Sequence, residues 1–93
     1  MEKTIEIKPL YHEWGLITDE KVIYSFGDVT EILDYYDNKN EFIDDVYNML
    51  IDEANDRFNS YNENELYDFM NNLTSDEIIK LKSGIGYMYY YYK

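Results

Sequence analysis

Few side chains in this sequence have the types and spacing that catalysis requires. The only histidine is His12, between Tyr11 and Glu13, and the chain has no cysteine. Nucleophilic catalysis needs a base with a pKa near neutral, and a lone histidine of this kind is more often a surface or packing residue. The sequence therefore predicts no catalytic residue.

The usual signatures of cofactor and metal sites are missing too. The four glycines are scattered over the chain and do not form a glycine-rich phosphate-binding loop: Gly15, Gly27, Gly84 and Gly86. The segment 37–41 resembles a calcium loop in composition, but the sixth position, which requires glycine, is Phe42. We expect no cofactor, no metal site and no enzymatic activity.

Acidic charge is concentrated in the middle of the chain. The stretch 22–79 holds 15 acidic residues against Lys39 and Arg57, a net charge of −13, whereas the whole chain carries −12. Such a field repels nucleic acid and attracts basic surfaces. We expect a basic protein surface as the partner, and neither direct nucleic acid binding nor membrane binding.

One predicted helix, roughly 39–59, separates its apolar and acidic residues onto opposite faces. The apolar face repeats at helical spacing: Ile43, Val46, Tyr47, Leu50, Ala54 and Phe58. The opposite face is polar and acidic: Glu41, Asp44, Asp45, Asn48, Asp52, Asn55 and Asp56. These acids lack i,i+4 lysine partners. We predict that Glu41, Asp44, Asp45, Asp52 and Asp56 bind the partner, with a charge spacing like that of phosphates along nucleic acid.

The four predicted helices have consistent start signals. Each has a cap-type residue three positions before a glutamate. The pairs are Asp28 with Glu31, Asn38 with Glu41, Asn62 with Glu65, and Thr74 with Glu77. Helical apolar spacing follows each pair, and Gly84 is a natural stop for the last helix. Four helices are expected.

The first 27 residues have strand character. Ile5 and Ile7 alternate with polar residues, which predicts a strand that Pro9 ends. The segments 14–18 and 21–26 flank Asp19-Glu20 and predict a hairpin, although this dipeptide is unfavourable for a tight turn.

The tyrosine-rich end, 85–93, is predicted to be a strand that pairs with the N-terminal ones. Tyr87, Tyr89 and Tyr91 would lie on one side and Met88, Tyr90 and Tyr92 on the other. Because only one side can join the core, we count Tyr90 and Tyr92 among the partner-binding residues; the alternative is that the outer tyrosines simply cover a small sheet.

These elements predict an α+β fold with one domain, 1–93. A small antiparallel sheet, made of the N-terminal strands and the C-terminal tyrosine-rich strand, would carry about four helices packed on it. The chain length suits a single core. The sequence leaves open whether the protein is a monomer or a homodimer.

In size, charge and lack of cysteine the chain resembles the small acidic inhibitors that phages and mobile elements direct against bacterial defence nucleases. This resemblance to anti-CRISPR and antirestriction proteins rests on no specific motif. It implies a non-catalytic inhibitor that blocks the basic nucleic-acid-binding surface of a CRISPR effector or restriction enzyme by DNA or RNA mimicry. The alternative is an immunity protein or antitoxin that neutralises a basic toxin; a small enzyme is the least favoured reading.

The first residues, Met1 to Glu6, alternate in charge and lack the apolar core of a signal peptide. No apolar run approaches the length of a membrane-spanning helix. We therefore expect a cytoplasmic protein, located in the host cytoplasm if a phage encodes it.

Overall fold

The computed structural model describes residues 4–10, 13–27, 29–58 and 65–92. Three strands come first: β1 (Glu6–Pro9), β2 (Trp14–Thr18) and β3 (Lys21–Gly27). Four helices follow: α1 (Thr30–Leu33), α2 (Lys39–Phe58), α3 (Glu65–Asn71) and α4 (Ser75–Tyr92). The antiparallel sheet with four helices confirms the predicted α+β class.

The strands form one antiparallel sheet in the order β1-β2-β3. The predicted hairpin is present, and its two-residue turn places Asp19 and Glu20 at φ values of 51° and 66°. Positive φ at both positions is the geometry that matches strand twist, but it is unfavourable for residues other than glycine, asparagine and aspartate. Thr4 supports the turn, because its Oγ1 accepts a hydrogen bond of 2.8 Å from the Asp19 backbone N–H.

Two of the predicted helix caps are present. The Asn38 Oδ1 accepts hydrogen bonds from the backbone N–H groups of Asn40 (2.8 Å) and Glu41 (3.3 Å), so it caps α2. A reciprocal capping box starts α4, in which Thr74 N–H donates to Glu77 Oε1 (2.9 Å) and Glu77 N–H donates to Thr74 Oγ1 (3.2 Å). The predicted caps Asp28 and Asn62 lie outside the described residues.

The helices pack their apolar faces against the sheet and one another. The largest fully buried side chains come from β2, the residue that precedes α1, and all four helices: Trp14, Leu16, Val29, Leu33, Phe42, Leu50, Leu66, Leu81, Ile85 and Met88. The apolar face predicted for α2 is confirmed, since Val46, Leu50 and Ala54 are buried. The side chain of Phe58, which was assigned to the same face, lies outside the described part. Packing against the core therefore determines which face of α2 points to solvent.

The predicted tyrosine-rich strand is wrong. Residues 85–92 continue α4, which runs without interruption from Ser75 to Tyr92, and the sheet contains no fourth strand among the described residues. The buried positions Leu81, Ile85 and Met88 have helical spacing, so the core selects the helix. Tyrosine favours strands only weakly, and burial of these three side chains outweighs that preference.

Gly84 does not end the helix either. A Cβ on Gly84 would lie 3.1 to 3.2 Å from three side-chain atoms of Ile7 on β1. The glycine therefore allows α4 to approach β1 closely, and the helix continues past it. This role for a glycine in the middle of a helix has no local sequence signature.

Candidate functional site

The acidic face of α2 is an exposed surface along the longest helix. We use this name for seven residues: Glu41, Asp44, Asp45, Asn48, Asp52, Asn55 and Asp56. All seven are exposed. At 3.6 residues per turn they occupy an arc of about 120°, and from first to last they extend about 22 Å along the axis. The structure thus brings the five predicted acidic residues onto one solvent-facing surface.

The spacing within this face is regular. Glu41 and Asp45, and likewise Asp52 and Asp56, are one turn apart, about 6 Å along the axis. Asp44 lies at one margin of the arc, beside the apolar residue Ile43. A basic surface could therefore meet two pairs of carboxylates and a fifth acid at the edge.

Three carboxylates of this face are not neutralised by a salt bridge within the described part of the chain. Two salt bridges lie away from α2 and join Lys8 to Glu6 (3.7 Å) and Lys21 to Glu65. Glu41, Asp44 and Asp52 form no salt bridge with any described residue. Their charge is therefore available to a partner.

Asp45 has a hydrogen-bond partner within the chain. The Tyr36 hydroxyl donates a hydrogen bond of 2.9 Å to Asp45 Oδ2. This bond to the carboxylate raises the pKa of Tyr36 above its usual value, with partial burial and the negative charges of Asp45 and Glu41 adding to the effect. The same contact fixes the position of the Asp45 carboxylate on the acidic face.

A groove runs between α2 and α4, next to the acidic face. We call it the α2/α4 groove; it has a volume of about 800 Å³. Its lining includes one acid and two lysines together with apolar and aromatic side chains: Lys39, Ile43, Asp44, Ile79, Lys82, Gly86, Tyr87 and Tyr90. Asp44 thus belongs to both the groove and the acidic face.

The two helices run antiparallel along this groove, in register over three successive turns. Lys39 contacts Tyr90, with Nζ 3.2 Å from the hydroxyl and 4.5 Å from the ring centroid. One turn further along α2, Ile43 lies over Gly86, where a Cβ would approach Ile43 Cδ1 to 3.2 Å. One turn beyond that, Lys82 Nζ lies 4.8 Å from the centroid of the ring of Tyr47. The lysines are therefore held over aromatic rings by cation–π contacts.

Of the two predicted partner-binding tyrosines, the structure describes the side chain of one. Tyr90 is 66% exposed on α4 and lines the groove together with Asp44. The side chain of Tyr92 lies outside the described part of the structure. The sequence analysis missed Ile79, which is 63% exposed, as well as Lys82 and Tyr87. Their i, i+3 and i+8 spacing would have shown a helical stripe if the tail had been interpreted as a helix.

Within the ranges 4–10, 13–27, 29–58 and 65–92 there is no group of three or more histidine or acidic side chains arranged to hold a metal ion. His12, the only histidine, lies outside the described residues. None of the described helices has the length and apolar character needed to cross a membrane.

Comparisons with protein-family models, curated proteins and solved structures gave no significant match to this chain.

Proposed function

We propose that this protein is a non-catalytic inhibitor that binds the basic, nucleic-acid-binding surface of another protein. The partner would be a nucleic-acid-handling enzyme such as a CRISPR effector or a restriction enzyme, in the cytoplasm of a bacterial host. The observation that carries the proposal is the exposed acidic face of α2, whose carboxylates Glu41, Asp44 and Asp52 have no salt bridge within the described chain.

The shape of this face supports mimicry of a nucleic acid strand. A helix of 20 residues is rigid and straight enough to present charges in a line, and duplex DNA likewise presents a dense line of charges. Proteins that bind DNA collect lysine and arginine in a groove of matching width. A protein helix with two pairs of carboxylates along one face can occupy such a groove without being cleaved.

The first experiment identifies the partner and tests competition. The tagged protein is used to capture partners from host lysate, and the captured enzyme is then titrated with its own DNA or RNA. Capture of a nuclease that nucleic acid displaces supports the proposal. Capture of a small basic toxin would instead support an immunity protein or antitoxin.

The second experiment assigns binding to the acidic face rather than to net charge. The test variant carries Glu41→Gln, Asp45→Asn, Asp52→Asn and Asp56→Asn. A matched control neutralises four exposed acids outside α2: Glu13, Glu20, Glu31 and Asp34. Both variants change the net charge from −12 to −8.

We expect the test variant to bind at least tenfold more weakly, since each charge at the rim of an interface contributes up to about 1 kcal/mol. The control should bind almost as well as the unmodified protein. Equal losses in both variants would show that overall charge, and not the helix face, drives binding. Unchanged affinity in both would refute the mimicry proposal.

A further inference from the structure

We infer that the α2/α4 groove is the contact surface of a two-fold symmetric homodimer of this chain. This interface shares Asp44 with the surface proposed for the inhibited partner and otherwise lies beside it. Exposed apolar area, the distribution of charge in the groove and the position of the groove relative to the acidic face support it.

The side of α4 that lines the groove exposes three large side chains. Ile79, Tyr87 and Tyr90 are each more than half exposed, whereas Leu81, Ile85 and Met88 are buried on the inner side of the helix. With about 200 Å² for each side chain, the exposed parts amount to on the order of 350 Å². This area is in the range of the largest apolar patch on a monomer, and it supplies nearly half of the roughly 800 Å² that each partner buries in a standard interface.

The charges of the groove are self-complementary. Lys39 and Lys82 line it together with the single acid Asp44, in a protein of net charge −12. In a two-fold interface the same patch meets itself, so the lysines of one copy can face Asp44 of the other in both directions. An acidic surface without lysines would repel its own copy. The groove is therefore suited to a second copy of this chain.

The acidic face remains accessible in such a dimer. On the helical wheel of α2, Ile43 points about 160° away from Glu41 and Asp45 lies close to Glu41. A second copy covering Ile43 would thus leave most of the acidic face uncovered on each protomer. The dimer would present two acidic faces to solvent.

Added salt is expected to strengthen dimerisation. Two chains of charge −12 repel one another at long range, and added salt screens this repulsion while leaving apolar contacts in place. We expect sedimentation velocity between about 5 and 500 µM to show a monomer–dimer equilibrium. Dimerisation should be stronger at about 500 mM NaCl than at about 50 mM.

Matched variants locate the interface. Ile79→Lys places a charge on the apolar lining of the groove, and the exposed position and the helix propensity of lysine favour retention of the fold. Val22→Lys makes the same change at an exposed apolar residue on β3. We expect the dissociation constant to rise at least tenfold for Ile79→Lys and to stay unchanged for Val22→Lys, with circular dichroism confirming both folds. A wild-type chain that is monomeric at both salt concentrations, or equal behaviour of the two variants, would overturn the inference.

The dimer test is independent of the proposed inhibitor function. The variant with neutral residues at Glu41, Asp45, Asp52 and Asp56 should lose partner binding but dimerise at least as well, because repulsion between copies is reduced. Loss of dimerisation in this variant would contradict the placement of the interface. A failure to find a basic partner would leave the sedimentation result unaffected.

Discussion

Gly84 of α4 lies directly against Ile7 of β1, so closely that a Cβ on Gly84 would be 3.1 Å from Ile7 Cδ1 and 3.2 Å from Ile7 Cβ. Gly86, two residues later, faces a different neighbour, Ile43 of α2. The first glycine sets the distance between helix and sheet, and the second faces the end of a flexible side chain.

These surroundings predict opposite effects of the same substitution. Gly84→Ala should lower the free energy of unfolding by about 1 kcal/mol, because overpacking against Ile7 costs more than helix propensity gains. Gly86→Ala should leave stability unchanged or raise it by up to about 1 kcal/mol, since Ile43 Cδ1 can move aside. Urea denaturation of both variants measures the difference. Equal effects would contradict the helix packing at these positions.

A second pair of variants distinguishes a helical tail from a strand. Met88 is fully buried and Tyr90 is 66% exposed. Met88→Ala should therefore cost about 2–5 kcal/mol, whereas Tyr90→Ala should cost no more than about 0.5 kcal/mol. In a strand the two residues would share a face and respond alike. Chemical denaturation of the two variants side by side tests this.

The secondary structure of the tyrosine-rich segment could not be predicted from the local sequence pattern. The hairpin and α2 follow from local patterns, because the strand-forming residues on either side of Asp19-Glu20 and the period of α2 each have one interpretation. In residues 87–92 nearly every position is tyrosine, so period 2 and period 3.6 fit equally well. Only the contacts of Ile85 and Met88 with the distant core decide between them, and such long-range packing is not visible in a local pattern.

The capping box of α4 gives a third prediction. Thr74→Ala removes the side-chain acceptor of the Glu77 N–H and should lower the free energy of unfolding by about 1 kcal/mol. Thr74→Ser keeps the acceptor and should restore most of the loss. Thermal or urea denaturation followed by circular dichroism measures both. A serine variant as unstable as the alanine variant would argue against the capping role.

Tyr36 and Asp45 give a prediction about pH. The raised pKa of Tyr36 comes mainly from its hydrogen bond to Asp45, so Asp45→Asn should lower that pKa toward the usual tyrosine value. The neutral phenol donates the bond, so its stabilising effect is complete below about pH 10. That effect is lost as pH rises through the higher pKa of the folded protein.

NMR titration of ¹³C-labelled tyrosine resolves this single group. Asp52→Asn serves as the control, because Asp52 lies on the same acidic face but two turns further along α2. Its substitution should change the Tyr36 titration much less than Asp45→Asn. Identical shifts in the two variants would mean that the general field, and not the hydrogen bond, sets this pKa.

The sequence predicted the acidic face of α2 but not the α2/α4 groove. The five acids of the acidic face follow from the period of α2, since charged side chains occupy whatever face the core leaves free. The α2/α4 groove depends on which residues of two helices meet. The pairing of Lys39 with Tyr90, and of Lys82 with Tyr47, requires the antiparallel register that the core imposes.

The cation–π contacts of Lys39 and Lys82 have a consequence for how the molecule travels toward a target. They hold two positive charges on the groove side of α2, whereas Glu41, Asp45, Asp52 and Asp56 lie on the opposite side, so the charge distribution has a dipole moment across the helix. In the field of a basic surface such a molecule turns during diffusion, and its acidic side arrives first. Orientation before contact shortens the search for the productive encounter, and association is then faster than random collision would allow.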